Sequence, residues 1–202
     1  MINDNGCPKF KIKEQWSMPL PFTGRWAFSW DGRIANLVIY KNGSSSIANA
    51  FQHPRIGQLK DIPYIPEILV TEKLPDTVEH AFIVIRNPTE RVISYYNMLR
   101  IDMDVTMTFE EFWEWATIEL QKEDCDPHLR PQSDFLIGLI PDTRIEYIKM
   151  ENLSAYLTTL GLPNTKCHVL GSENIQIDKI FADKIEHVFS KDIIMYSGIT
   201  HR

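Results

Sequence analysis

Cysteine is scarce in this 202-residue chain: Cys7, Cys125 and Cys167 are odd in number, widely spaced and contain no C-x-x-C pair. That excludes a disulfide-stapled scaffold and fits a reducing compartment. Long apolar runs are missing too, since no stretch approaches the roughly 18 residues that a membrane span requires. Met1 to Gly6 show neither a basic n-region nor an apolar h-region, so a cytoplasmic chain with no membrane attachment is expected. Positive charge is in short supply: 21 Lys and Arg face 27 Asp and Glu, a formal net charge of -6. A protein that coats nucleic acid by bulk electrostatics is thereby excluded, and any anion site has to be local. The six histidines, His53, His80, His128, His168, His187 and His201, form no H-x-x-x-H pair and no cysteine-paired ligand set. No metal site is expected.

What is present is a chain with 44% hydrophobic residues, enough for one core and too short to divide comfortably into two. A single domain over 1–202 is predicted, with 1–33 as an N-terminal hairpin or extension and 34–197 as the core. Trp26 to Trp30 alternates large and small residues ahead of the turn pair Asp31-Gly32, which predicts a hairpin feeding a buried strand from Ile34 to Tyr40. Trp16, Trp26 and Trp30 are read chiefly as core, with stacking on a flat acceptor as the alternative. Short β-branched runs at Ile68–Val70 and Ala81–Ile85, with a fourth candidate at Ile145–Met150, read as strands of a parallel sheet covered on both faces.

Helical patterns lie between these runs. Thr108-Phe109-Glu110-Glu111 forms a capping box before a helix reaching about Lys122. Another helix is predicted from about Asn152 to Gly161, and a last one from about Asp178 to Phe189, with Ile180, Ile185 and Val188 inward. The fold class is therefore α/β, a central and mainly parallel sheet flanked by helices. Lys122 to Asp134, with Pro127 and Pro131, is either a functional loop or an ordinary surface connection.

Two segments carry chemistry. After the run ending at Tyr40 come Lys41-Asn42-Gly43-Ser44-Ser45-Ser46 and a possible helix start. Unpaired N–H groups and a positive dipole end favour an anion there, and the small residues allow close approach. It is not a Walker A loop, because the lysine leads the turn rather than preceding the helix. Taken alone, the segment reads equally well as a serine-rich helix start beside a solvated lysine.

The second segment is Arg86-Asn87-Pro88-Thr89-Glu90-Arg91-Val92-Ile93-Ser94. Asn87 suits the N-cap, Pro88 the first helical position and Glu90 a capping box. Arg91 and Ser94 then share a helix face, while Arg86 stands at a strand's carboxyl end, where ligands of open α/β sheets collect. A guanidinium fork can bond two phosphate oxygens at once. The alternative is that Arg86 and Arg91 pair with Glu90 or other carboxylates.

Together the two segments resemble the sulfotransferases that use 3′-phosphoadenosine 5′-phosphosulfate (PAPS). Their phosphosulfate loop is lysine-led, and their 3′-phosphate motif reads R-[DN]-P-x-x-R-x-x-S, which Arg86 to Ser94 matches throughout. Asp126-Pro127-His128-Leu129-Arg130-Pro131-Gln132 is similar to the H-x-x-P-Q segment of carbohydrate-type (family 2) members, and Tyr147 to Leu153 to their strand followed by E-[DN]-L. The resemblance covers about Ile34 to Ser197 and implies the P-loop-NTPase-like sulfotransferase fold. Many eukaryotic members carry a Golgi anchor, so its absence here points to a bacterial-like or viral cytoplasmic form.

The resemblance also implies roles. Lys41 would act on the bridging and 5′-phosphate oxygens. Asn42, Gly43, Ser44, Ser45 and Ser46 would hold the phosphosulfate, and Arg86, Ser94 and Arg91 the 3′-phosphate, with Arg91 alternatively securing its helix. His128 is the first candidate for general base, with His53, Glu14 and Asp31 in reserve. The acceptor would be a hydroxyl of a carbohydrate or small molecule, with no metal. Two alternatives stay open: a nucleotide or sugar kinase with a divergent phosphate loop, and a non-catalytic nucleotide-binding module.

Overall fold

The computed structural model describes residues 24–29, 31–51, 68–163, 175 and 177–200. Glu14, Trp16, Trp30 and His53 lie outside the described residues. The sheet begins with a hairpin, in which β1 (Arg25–Phe28) pairs antiparallel with β2 (Ile34–Leu37). Gly32 takes φ 70 in the turn, a conformation that glycine adopts without a Cβ clash. β3 (Ile68–Leu69) adds to the outer edge of β1, also antiparallel. β4 (His80–Ile85) lies parallel to β2, and β5 (Ile145–Lys149) parallel to β4, giving the order β3-β1-β2-β4-β5.

The sheet is thus mixed, not mainly parallel as the sequence predicts. A connection as short as the one from Phe28 to Ile34 can only reverse the chain, whereas a parallel neighbour needs a long crossover. The Asp31-Gly32 turn therefore makes β1 antiparallel, and Ile68–Leu69, read as another parallel strand, joins β1 rather than β2 or β4. The α/β class stands, with helices α1 (Ser44–Ala50), α2 (Pro88–Asp102), α3 (Phe109–Glu119), α4 (Leu153–Thr159), α5 (Lys179–Val188) and α6 (Ser190–Gly198) around the sheet.

β4 organises the core because it has a parallel strand on each side. Its Ala81, Ile83 and Ile85 pack with Trp26, Leu37 and Phe135 on one face, while Phe82 and Val84 meet Ile47, Phe51, Leu153 and Leu157 on the other. Burial on both faces is why its sequence is an unbroken apolar run rather than an alternating one. Trp26 is a core residue, 3% exposed. A second body of packing joins α2, α3 and α5 through Tyr95, Phe112, Trp113, Ile185 and Phe189. The Thr108 capping box that opens α3 is present, with the Thr108 side chain accepting from Glu111 N–H and the Glu111 carboxylate from Thr108 N–H.

The last helix differs from its expected face. Ile185 is fully buried, but Ile180 is 64% and Val188 41% exposed. The inward stripe is Phe181, Ile185 and Phe189, spaced by four as one helical face requires. α6 follows after a single residue and was not predicted. Among the described residues no helix is long and apolar enough to cross a membrane. β2, β4 and β5, being mutually parallel, all release the chain at the same edge of the sheet, and the segments around Lys41, Arg86 and Met150 meet there.

Candidate functional site

The loop after β2 is strained. Lys41 sits at φ 66 and Gly43 at φ 80, and a left-handed lysine costs on the order of 1 kcal/mol or more unless its surroundings hold it. Two arginines do so. Arg91 Nε donates to Tyr40 O at 2.9 Å, and Arg86 Nη1 donates to Lys41 O at 3.2 Å. Glycine is needed at 43 for its φ and for space: a Cβ would stand 2.7 Å from Leu153 Cδ2. The loop then turns directly into α1, whose N-cap Gly43 supplies no side-chain cap. Ser44 and Ser46 are half-buried and Ser45 is exposed.

The loop after β4 is built from local signals. Asn87 Oδ1 accepts from Thr89 N–H at 2.9 Å and Glu90 N–H at 3.3 Å, with Pro88 at the first helical position. Arg86 precedes this cap. Its side chain is 23% exposed, and its Nε faces Glu90 Oε2 at 3.6 Å, beyond hydrogen-bond distance.

Lys41 and Arg86 are therefore neighbours at one edge of the sheet. Burial and then the charge of Arg86 pull the Lys41 ammonium down to about 8, with Asp102 opposing and Arg91 adding the least. Burial also lowers Arg86, and Glu90 offsets part of it. Among the described residues no carboxylate forms an ion pair with Lys41. Two cations crowded in a partly desolvated place, with Glu90 within ion-pair range of Arg86 and no ion-pair partner for Lys41 among the described residues, make a site that favours an anion.

Arg91 has another position. It is 1% exposed, and besides Tyr40 O its guanidinium donates to Pro127 O at 3.2 Å. Burial lowers its pKa, while Asp192 and Asp126 hold the charge. It ties the Lys41 loop to the Pro127 segment, a link between loops rather than the securing of its own helix that the sequence offered as the alternative. Ser94, one turn further along α2, is half-buried.

The Pro127 segment brings in His128. Its Nδ1 lies 2.8 Å from Asp126 Oδ1, its ring stacks on Tyr95 at 5.1 Å, and Tyr40, next to Lys41, meets it edge-on at 4.8 Å. Asp126 also accepts from Tyr95 OH at 2.6 Å. Burial pushes the Asp126 carboxyl up, but its bonds with His128 and Tyr95 outweigh this and hold it below the usual carboxylate value. With Nδ1–H donating to Asp126, the ring's basic lone pair is on Nε2. Glu119 of α3 steadies the segment by accepting from Asp126 N–H at 3.2 Å.

Two buried residues to which the sequence reading gave no role join these pieces. Gln132 Oε1 accepts from Asn42 Nδ2 at 2.6 Å and from Arg86 N–H at 2.9 Å, and its Nε2 donates to Arg86 O at 2.9 Å. Asp192 of α6 receives Gln132 N–H at 2.7 Å and Ser133 N–H at 2.9 Å. Gln132 stands in the H-x-x-P-Q segment, so a signal for it existed. Asp192 had none, because α6 was not foreseen.

Asp31, a reserve base, is not brought to this place. It lies in the β1–β2 turn at the opposite edge, accepting from Ser29 Oγ at 2.6 Å. A cleft of about 660 Å³ opens at that opposite edge, lined by Asp31, Arg33, Glu79, Glu146 and Tyr156 among others. Its volume would suit a ligand, but Arg33 and Glu79 there neutralise each other through bonds of 2.8 and 2.5 Å and the remaining Asp31 and Glu146 are acidic, so it does not favour an anion as the place around Lys41 does. Among the described residues no group of three His, Cys, Asp or Glu could hold a metal ion.

No protein-family model matches the chain, and no curated protein matches it as a relative. The fold has a partial likeness to a crystal structure of a sulfotransferase from Alicyclobacillus acidocaldarius, with a TM-score of 0.40 and 15% identity over 61% of this chain. The match spans 55% of that protein's chain. At this level the likeness says nothing about activity.

Proposed function

We propose that this chain transfers a sulfuryl group from PAPS to a hydroxyl of a carbohydrate or small-molecule acceptor. The observation that carries the reading is the adjacency of Lys41 and Arg86, joined through Lys41's own carbonyl, at the edge where the parallel strands β2 and β4 end. PAPS has phosphate groups at two ends, and two separate cationic grips at one edge suit such a ligand. It supplies the sulfuryl group and leaves as adenosine 3′,5′-bisphosphate.

In this reading Lys41 stabilises the charge that develops on the bridging oxygen as the sulfur–oxygen bond breaks, and the Gly43 to Ser46 backbone and hydroxyls hold the phosphosulfate. Arg86 and Ser94 take the 3′-phosphate, and Arg91 positions Lys41's loop from beneath. His128 Nε2 takes the acceptor hydroxyl's proton as the acceptor oxygen bonds to sulfur, and Asp126 stabilises the imidazolium that forms. The closeness of Lys41 and Arg86 and the motif of Arg86 to Ser94 support this assignment of roles.

Incubating the protein with sulfur-labelled PAPS and a panel of sugars and phenols tests the reading. Label should pass to an acceptor, and Lys41→Ala should lower turnover at least about 100-fold, as loss of a transition-state donor does, while cofactor affinity falls only a few-fold. Absence of transfer to any acceptor, or equal loss of affinity and turnover in Lys41→Ala, contradicts it.

A further inference from the structure

We infer that Gln132 is a positioning and specificity-determining residue, whose buried amide fixes the separation of the two anion grips and so sets the phosphate-to-phosphate spacing that the site accepts. The inference deepens the sulfotransferase reading and rests on it. Gln132 is 0% exposed, so it acts through other residues rather than on ligand. One planar amide holds both loops. Asn42 of the first grip donates to Oε1 at 2.6 Å, Arg86 of the second donates its N–H to the same oxygen at 2.9 Å, and Nε2 returns a bond to Arg86 O at 2.9 Å.

Asn42 is itself 2% exposed and donates also to Val84 O at 2.6 Å, so the first loop is fastened to the strand that carries the second. Asp192 anchors the clamp from behind through Gln132 N–H and Ser133 N–H. An apolar side chain would fill the same space without the penalty of burying an amide, which is tolerable only when its groups are paired. What the amide adds is direction: it fixes where Arg86's backbone stands relative to Asn42's. A ligand that bridges two sites gains when their separation is already set, because its second phosphate then binds as an intramolecular event. A ligand with one phosphate gains nothing from that separation.

Calorimetric titration of the full chain and of Gln132→Met with adenosine 3′,5′-bisphosphate and with 5′-AMP tests the clamp. The bisphosphate should weaken about 10- to 100-fold and AMP less than about 3-fold, so that their ratio collapses. An equal loss for both ligands, or no loss for either, overturns the inference. Hydrogen exchange of the unmodified chain needs no variant to fold: the Arg86 N–H should exchange as slowly as the amides of Ile83 and Ile85, and exchange as fast as an exposed turn amide overturns the clamp. A wild-type chain that binds neither nucleotide sinks the sulfotransferase reading. The Arg86 amide then decides the clamp by itself, protection supporting it and fast exchange overturning it.

Discussion

The loop after β2 places Lys41 at φ 66 and Gly43 at φ 80 with no side-chain cap on α1, whereas the loop after β4 starts α2 from an Asn87 cap, a proline at the first helical position and an unstrained backbone. Both lie at one edge and both present a cation. The first is shaped from a distance, by Arg91, Arg86 and Gln132 reaching carbonyls and an amide some 45 to 90 residues away in sequence. The second is shaped by its own neighbours. Strain thus sits in the loop assigned to the reacting bond, and the loop assigned to the remote phosphate is locally secure.

The sharpest way to break the contrast is to remove what holds the strained loop. Arg91→Met removes the buried guanidinium that donates to Tyr40 O and Pro127 O, so chemical unfolding should show a loss of about 3 kcal/mol. A loss under about 1 kcal/mol would mean that the loop holds itself. The matching change in the other loop is smaller. Asn87→Ala should cost about 1 kcal/mol, the usual worth of such a cap, and leave adenosine 3′,5′-bisphosphate affinity within about 3-fold. A large affinity loss would show that this loop, too, depends on its exact shape for binding.

The smallest effect sharpens the comparison rather than breaking it. Lys41→Gly removes left-handed strain and a buried ammonium, so at pH 7 the variant should be more stable by about 1 kcal/mol, although inactive. The folded lysine titrates at about 8 against an ordinary 10.5, so between those values the unfolded chain binds more protons and wild-type stability rises with pH. The variant's advantage should therefore shrink from pH 8 to 10.5. A constant advantage across that range would place the lysine in solvent.

The same contrast explains what the sequence made legible. Asn87, Pro88 and the Thr108 box are local codes, and β4 announced itself as an unbroken apolar run, so these were readable. The placement of Lys41 at a strand end was readable too, but its left-handed backbone was not, because no residue near it demands that conformation. Gln132 and Asp192 act across 46 and 60 residues; the H-x-x-P-Q segment marked Gln132 but no local pattern encodes its partners, and Asp192 carried no signal at all. The mixed sheet was missed because Ile68–Leu69 carries the same β-branched signal in either direction. The face of α5 was missed because Ile180 and Val188 are as apolar as the Phe181 and Phe189 that the core takes.

The central claim is that Lys41 and Arg86 grip the two ends of one doubly phosphorylated nucleotide. Calorimetric binding of adenosine 3′,5′-bisphosphate and 5′-AMP to Arg86→Ala tests it most directly. The account expects the bisphosphate to weaken strongly, by the roughly 1.5–3 kcal/mol of a charge-assisted hydrogen bond, and AMP to weaken clearly less, through the loss of Arg86's bond to Lys41 O alone. Equal weakening of both, or none of either, would contradict it.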